Sequence, residues 1–152
     1  MKTVSTTIAL LFFILAIPAQ EMEYDKSMIT TAIENYFYGY IERDSDKLHK
    51  AFDTENGAMK LLNKNETGKE QVNNIKFKEL VERWGSREKM SASDLDKCKL
   101  DIQNIDIVDS KIASARIRMQ LVKTSYIDIL SLQKIDGRWK IVNKIFVEEF
   151  KQ

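Results

Sequence analysis

The chain has 152 residues, 43% of them hydrophobic and 31% charged, with five Gly, one Pro, one Cys and one His. That balance fits a single globular domain and excludes a disordered chain or a repeat array. One Cys excludes a disulfide scaffold, one His beside it leaves no zinc or iron–sulfur ligand set, and a net charge of +1 speaks against a nucleic-acid footprint.

Residues 1–19 read as a secretory signal peptide. Lys2 is the positive start, Ile8 to Ile17 an unbroken apolar run, and Ala19 the small residue before the cut. The run is about half the roughly 20 residues that a membrane span needs. An exported protein is expected, periplasmic or extracellular, off the membrane once the leader is cleaved. Its mature domain, residues 20–152, has basic and acidic residues in balance.

From Asp25 to Arg43 the chain predicts a helix, with Ile29, Ile33, Tyr36, Phe37, Tyr40 and Ile41 on one stripe and Asp25 or Ser27 as cap. Asp44 or Ser45 caps a short second helix carrying Leu48, Ala51 and Phe52. Met59 to Leu62 is a short strand and Asn63 to Gly68 a polar turn. Phe77, Leu80, Val81 and Trp84 predict a third helix stopped by Gly85, and Ser86 to Asp96 a loop. Four alternating runs follow, Cys98–Val108, Lys111–Val122, Ser125–Ile135 and Arg138–Glu149, joined at Asp109-Ser110, Lys123-Thr124 and Asp136-Gly137. Helices followed by an antiparallel meander make an α+β domain with the helices on one sheet face.

Two-residue turns fix a register, and paired residues share a face. The helix-facing side then carries Cys98, Leu100, Ile102, Asn104, Ala113, Ala115, Ile117, Met119, Leu121, Tyr126, Asp128, Leu130, Leu132, Trp139, Ile141, Asn143 and Ile145. The opposite side carries Ile105, Ile127, Ile129, Val142 and Phe146 among polar residues that include Lys140 and Lys144. Five large apolar groups there suggest a contact surface, hence a homodimer through the convex face, unless Ser86–Asp96 or the C-terminal residues cover it.

The segment Ser125 to Phe146 (SYIDILSLQKIDGRWKIVNKIF) resembles the C-terminal hairpin of the family named Putative lumazine-binding, in the nuclear transport factor 2-like superfamily. Weaker likenesses run through Ile33 to Tyr40, Asp44, Asp46, Leu48 and Ala51-Phe52. The resemblance implies a cone, a curved sheet wrapping a long helix, often around a pocket; relatives often dimerise through the sheet. Relatives often follow the helix-two Phe with His and Pro, where this chain has Asp53-Thr54, so no role of that His carries over.

Asp128 is the most informative residue. An inward carboxylate must be paired, protonated or in a wet cavity. It reads either as a ligand-orienting acid or general base, or as an acid hydrogen-bonded to a helix tyrosine such as Tyr36 or Tyr40. The predicted pocket is lined by Tyr36, Tyr40, Asn104, Met119, Tyr126, Asp128 and Asn143. Trp84 and Trp139 read as core, Cys98 as a buried thiol, His49 and Asp53 as a rim pair, and Asn65-Glu66-Thr67 as a glycosylation sequon of meaning only in a eukaryotic secretory pathway. No cofactor or metal is expected. The expected function is a non-catalytic exported module binding a small organic molecule or another protein; the alternative is a cofactor-free isomerase, cyclase or hydrolase using Asp128 as general acid or base.

Overall fold

The computed structural model describes the backbone of residues 5–150 and the side chains of residues 20–149. Lys2 and the side chains of the apolar leader run lie outside the described residues. Among the described residues, no helix is long and apolar enough to cross a membrane.

The first helix, α1, runs Ser5–Glu42 and so begins well before the predicted start. Asp25 therefore lies inside a helix and caps nothing. The helix ends where Arg43 turns into the left-handed region (φ 61) and the Asp44 N–H donates back to the Gly39 carbonyl at 2.9 Å, a common helix stop. Helix α2 (Ser45–Ala51) follows at once, its N-terminus capped by Asp44, whose Oδ1 accepts from the Lys47 N–H at 3.0 Å. Gly39 is where the two helices touch. A Cβ there would stand 2.8 Å from Leu48 Cγ and 2.9 Å from the Leu48 backbone nitrogen. Helix α3 spans Phe77–Gly85 and buries Phe77, Leu80, Val81 and Trp84, the spacing expected of its apolar face. One further turn, α4 (Ala92–Leu95), lies in the segment predicted as loop.

Six strands form one mixed sheet: β1 (Ala58–Lys64), β2 (Glu70–Lys76), β3 (Lys99–Val108), β4 (Ile112–Gln120), β5 (Thr124–Ile135) and β6 (Arg138–Phe150). Their order is β2-β1-β6-β5-β4-β3, antiparallel throughout except for a short parallel join of β1 to β6. The α+β expectation holds, with two strands rather than one before α3. Helices α1 to α3 enclose the inner face with a core of Ile29, Ile33, Phe52, Phe77, Ile117, Leu130, Leu132 and Ile141, each buried to 1% exposure or less. Burying a side chain of this size stabilises the fold by about 2 kcal/mol before the entropy of ordering it is subtracted.

The sheet departs from the predicted register at three places. Asp136 and Gly137 form the expected two-residue turn, both with positive φ (48° and 75°), and Ile135 pairs with Arg138. Beyond Leu132 and Ile141 a bulge intervenes, so Ser131 pairs with Asn143 and Leu130 with Lys144. A bulge adds one residue to one strand and exchanges the faces beyond it. Asn143 and Ile145 therefore turn outward, while Lys144 and Phe146 turn in.

At the other end Asp109 and Ser110 also take positive φ, but pairing resumes at Ile112. This places Ile105 and Ile107 opposite inward Ala115 and Ala113, and Asn104 opposite outward Arg116. A second bulge, between Ile102 and Asn104, restores the predicted pairing at Leu100 and Met119. Between β4 and β5 pairing resumes at Gln120 and Ser125, a slip of two residues that leaves every face unchanged.

Candidate functional site

The inward face of β5 presents Asp128, fully buried, next to Ile117 on β4 and Phe146 on β6. The predicted lateral neighbours, Met119 and Ile145, are displaced by the two-residue slip and the β6 bulge. A carboxylate in such a place needs partners, and it has two. Tyr36 on α1 donates its hydroxyl to Asp128 Oδ2 at 2.9 Å, and the Lys144 ammonium forms an ion pair with the same oxygen. Oδ1 has no hydrogen-bond partner. Of the two readings of Asp128, the hydrogen bond to a helix tyrosine is the one present in the structure.

Lys144 reaches this position because the β6 bulge turns it inward, where its residue is 3% exposed. Its Nζ also stands over the Phe146 ring (4.7 Å to the centroid) and the Tyr36 ring (5.4 Å). Burial lowers the Lys144 pKa, and the Asp128 charge and contact oppose that fall. Burial, then the charge of Asp128 and the hydrogen bond to it, push the Tyr36 hydroxyl well above its ordinary range, so it remains a donor. Sequence reasoning missed Lys144. The signal was the isolated inward acid: a cation is one of the partners a buried carboxylate can take, and a one-residue shift of β6 supplies one.

Above this cluster lies a cavity of about 170 Å³ walled by Tyr36, Tyr40, Met59, Arg83, Trp84, Arg87, Met119, Tyr126, Lys144 and Phe146. Aromatic packing fixes its walls. Trp84 stacks on Tyr36 (6.0 Å between centroids) and meets Tyr40 edge-on (5.3 Å), and Tyr126 meets Phe146 edge-on (5.7 Å). Burial first, then Tyr40 and Glu148, push the Tyr126 hydroxyl up to about 12, and it lies 3.4 Å from Glu148 Oε1.

The structure brings Tyr36, Tyr40, Met119 and Tyr126 together at this cavity, with Asp128 bonded to two of its wall residues. Asn104 and Asn143 do not join them. Asn104 is exposed on the edge strand, and Asn143 lies on the outer face against Ser131, each turned out by the register shift at its bulge. Trp84, read as core, is buried and also forms cavity wall.

His49 is exposed, and its Nε2 lies 4.0 Å from Glu82 Oε1, whereas Asp53 accepts from the backbone of Glu55 and Asn56; the expected His49–Asp53 pair does not form. Cys98 is half-buried and its Sγ contacts the Asp94 carbonyl at 3.4 Å. Among the described residues no group of three or more His, Cys, Asp or Glu side chains could hold a metal ion.

The model of the family described as Putative lumazine-binding matches residues 24–147. Among solved structures, the chain is similar to an NTF2-like protein of unknown function from Shewanella baltica OS155, with 24% identity and a TM-score of 0.66 over 86% of this chain and 96% of that one. A second NTF2-like protein of unknown function, from Methylobacillus flagellatus KT, has 25% identity and a TM-score of 0.63 over 82% and 92%. A third, from Silicibacter pomeroyi DSS-3, has 16% identity and a TM-score of 0.61 over 84% and 98%. No curated protein matches the chain.

Proposed function

The chain belongs to the Putative lumazine-binding family, and from that premise we propose that it binds a small planar organic molecule in the aromatic cavity above Lys144, without transforming it. The observation that carries this reading is the cavity's composition. Its walls are mostly aromatic and thioether side chains, and its polar groups converge from Tyr36, Tyr40, Tyr126, Lys144 and the two arginines Arg83 and Arg87. A mostly apolar concavity with a few converging polar groups is the usual form of a small-molecule site.

Catalysis by Asp128 has one supporting observation, the unpartnered Oδ1. Against it, Oδ2 is taken by Tyr36 and Lys144, and the carboxylate is fully buried. A general base must reach the proton it removes, and here wall residues hold the acid. Asp128 serves as the counter-charge that lets Lys144 stand in the wall.

The family description suggests lumazine as the first ligand to try. Titrating lumazine into isotope-labelled protein should shift the Trp84 indole and Met119 methyl resonances together, and K144M should weaken that response. Shifts confined to residues outside the cavity would refute the site. We also propose that residues 1–19 are removed on export, on the pattern of Lys2, the apolar run and Ala19. An intact mass from the native host that retains them would contradict this.

A further inference from the structure

Three arginines bear on what the ligand carries: Arg43 and Arg87 stand against the Tyr40 ring, and Arg83 shares the cavity wall with Arg87. Arg83 and Arg87 line the cavity. Arg87 donates from Nη1 to the Tyr40 hydroxyl at 2.9 Å, with its guanidinium carbon 5.6 Å from the ring centroid. Arg43 stands 5.3 Å from the same centroid, donating to the Tyr40 carbonyl and, at 3.2 Å, to the Glu88 carbonyl. Burial and then the nearby Arg87 charge push the Arg43 guanidinium below its ordinary value, with Tyr40 opposing them.

None of these three cations has an ion-pair partner among the described residues. Among the described residues, every ion pair involves other groups, so no carboxylate stands within 4.0 Å of Arg43, Arg83 or Arg87. The cation inside the cavity, Lys144, is answered by Asp128. Glu148 approaches the Tyr126 hydroxyl, and Glu88 meets Arg43 through its backbone carbonyl. Like charges at the edge of an aromatic cavity, with no carboxylate at ion-pair distance among the described residues, form a receptor for an anion.

Resting on the reading of this cavity as the ligand site, we propose that its ligand is a small planar anion, a ring bearing a carboxylate or enolate. The ring enters between Trp84, Met119 and Phe146, and the anionic group stays at the edge with Arg83 and Arg87. A cavity of about 170 Å³ restricts the ring portion to a small one. Guanidinium pairs with a carboxylate through two parallel N–H donors, which fixes orientation as well as affinity.

The test compares benzoate with benzyl alcohol, which keeps the ring and removes the charge, by following the Trp84 indole and Met119 methyl resonances during titration of the full chain. Benzoate should reach half-saturation at a concentration about tenfold or more below that of benzyl alcohol, and added salt should narrow the gap. R83Q is the cleanest variant, because the Arg83 side chain makes no hydrogen bond or ion pair among the described residues. R83Q combined with R87Q should bring the two probes to within about twofold of each other, the ratio being the readout because both arginines are wall residues. Equal affinity of the two probes for the unmodified protein, or a preference for benzoate that survives in R83Q/R87Q, would overturn the anion assignment and leave the cavity reading standing. If neither probe moves Trp84 or Met119, the cavity reading itself fails and this inference fails with it.

Discussion

Asp128 and Lys144 are each almost without solvent, and each is tolerable in the core only because of the other. Removing one charge leaves its partner buried and unpaired, which typically costs about 3–5 kcal/mol, whereas replacing both by apolar groups of similar volume is often neutral. D128L should therefore lower the stability to denaturant by about 3 kcal/mol, and D128L/K144M should recover all but about 1 kcal/mol. A double variant as weak as the single one would mean that the pair does not govern the core here. The D128L penalty should also depend on pH. With Asp128 gone, the burial that lowers the Lys144 pKa is unopposed. The folded state then binds fewer protons than the unfolded state between the depressed pKa and 10.5, so stability rises with pH across that window. Asp128 stood out in the sequence because an acid among alternating apolar residues demands an explanation. Lys144 did not, because exposed lysines are common and a strict alternation placed it outside.

Between elements, Asp25 fastens α1 to the β5–β6 hairpin. Its Oδ1 accepts from Lys134 Nζ at 2.8 Å and Trp139 Nε1 at 2.9 Å, and the residue is fully buried. Burial alone would raise its pKa, but the hydrogen bonds from Lys134 and Trp139, together with the Lys134 charge, hold it below its ordinary value of 3.8. A carboxylate depressed in the folded state contributes stability above its unfolded pKa and loses it as pH falls through the folded value. D25A should thus cost about 2 kcal/mol near neutral pH, and the difference from the unmodified protein should shrink below about pH 4. A penalty independent of pH would show that lost packing, and not the charge, is responsible.

The elements themselves were legible where local chemistry fixes them: the apolar stripes of α1 and α3, the Asp44 cap, and the Asp136-Gly137 turn with both residues at positive φ. The two bulges were not legible, because Ile-rich strands such as Ile102 to Ile107 and Ile141 to Ile145 offer an apolar residue to either face. Strand β2 was missed for the opposite reason. It lies at the sheet edge with only Ile75 partly buried, so its sequence carries little alternation.

At the scale of the molecule, the helices that enclose the core lie on one side of the sheet, and among the described residues nothing covers the apolar groups on the other side. Ile129 is 41% exposed and pairs with Ile145 at 44%; Ile127 pairs with Val147 at 60%; Leu62 at 62% pairs with Val72 at 58%. The expected patch keeps Ile127 and Ile129 but loses Ile105 and Phe146 to the interior, and the same bulge that takes Phe146 inward brings Ile145 and Val147 out. Their exposure means that, among the described residues, neither Ser86–Asp96 nor the C-terminal segment as far as Glu149 covers them. An aliphatic surface on a sheet suits another such surface, and a chain with a net charge of only +1 meets little net repulsion from its own copy. We propose that two copies pair through this face, burying Ile129 and Ile145 near its centre. Sedimentation at micromolar concentration should give a dimer, and I129E/I145E should give a monomer with unchanged circular dichroism, because both side chains point away from the core. Four glutamates would face one another in the variant pair, and burying like charges together opposes association strongly. A strict monomer for the unmodified chain at high micromolar concentration, or a dimer that survives I129E/I145E, would exclude this face as the interface.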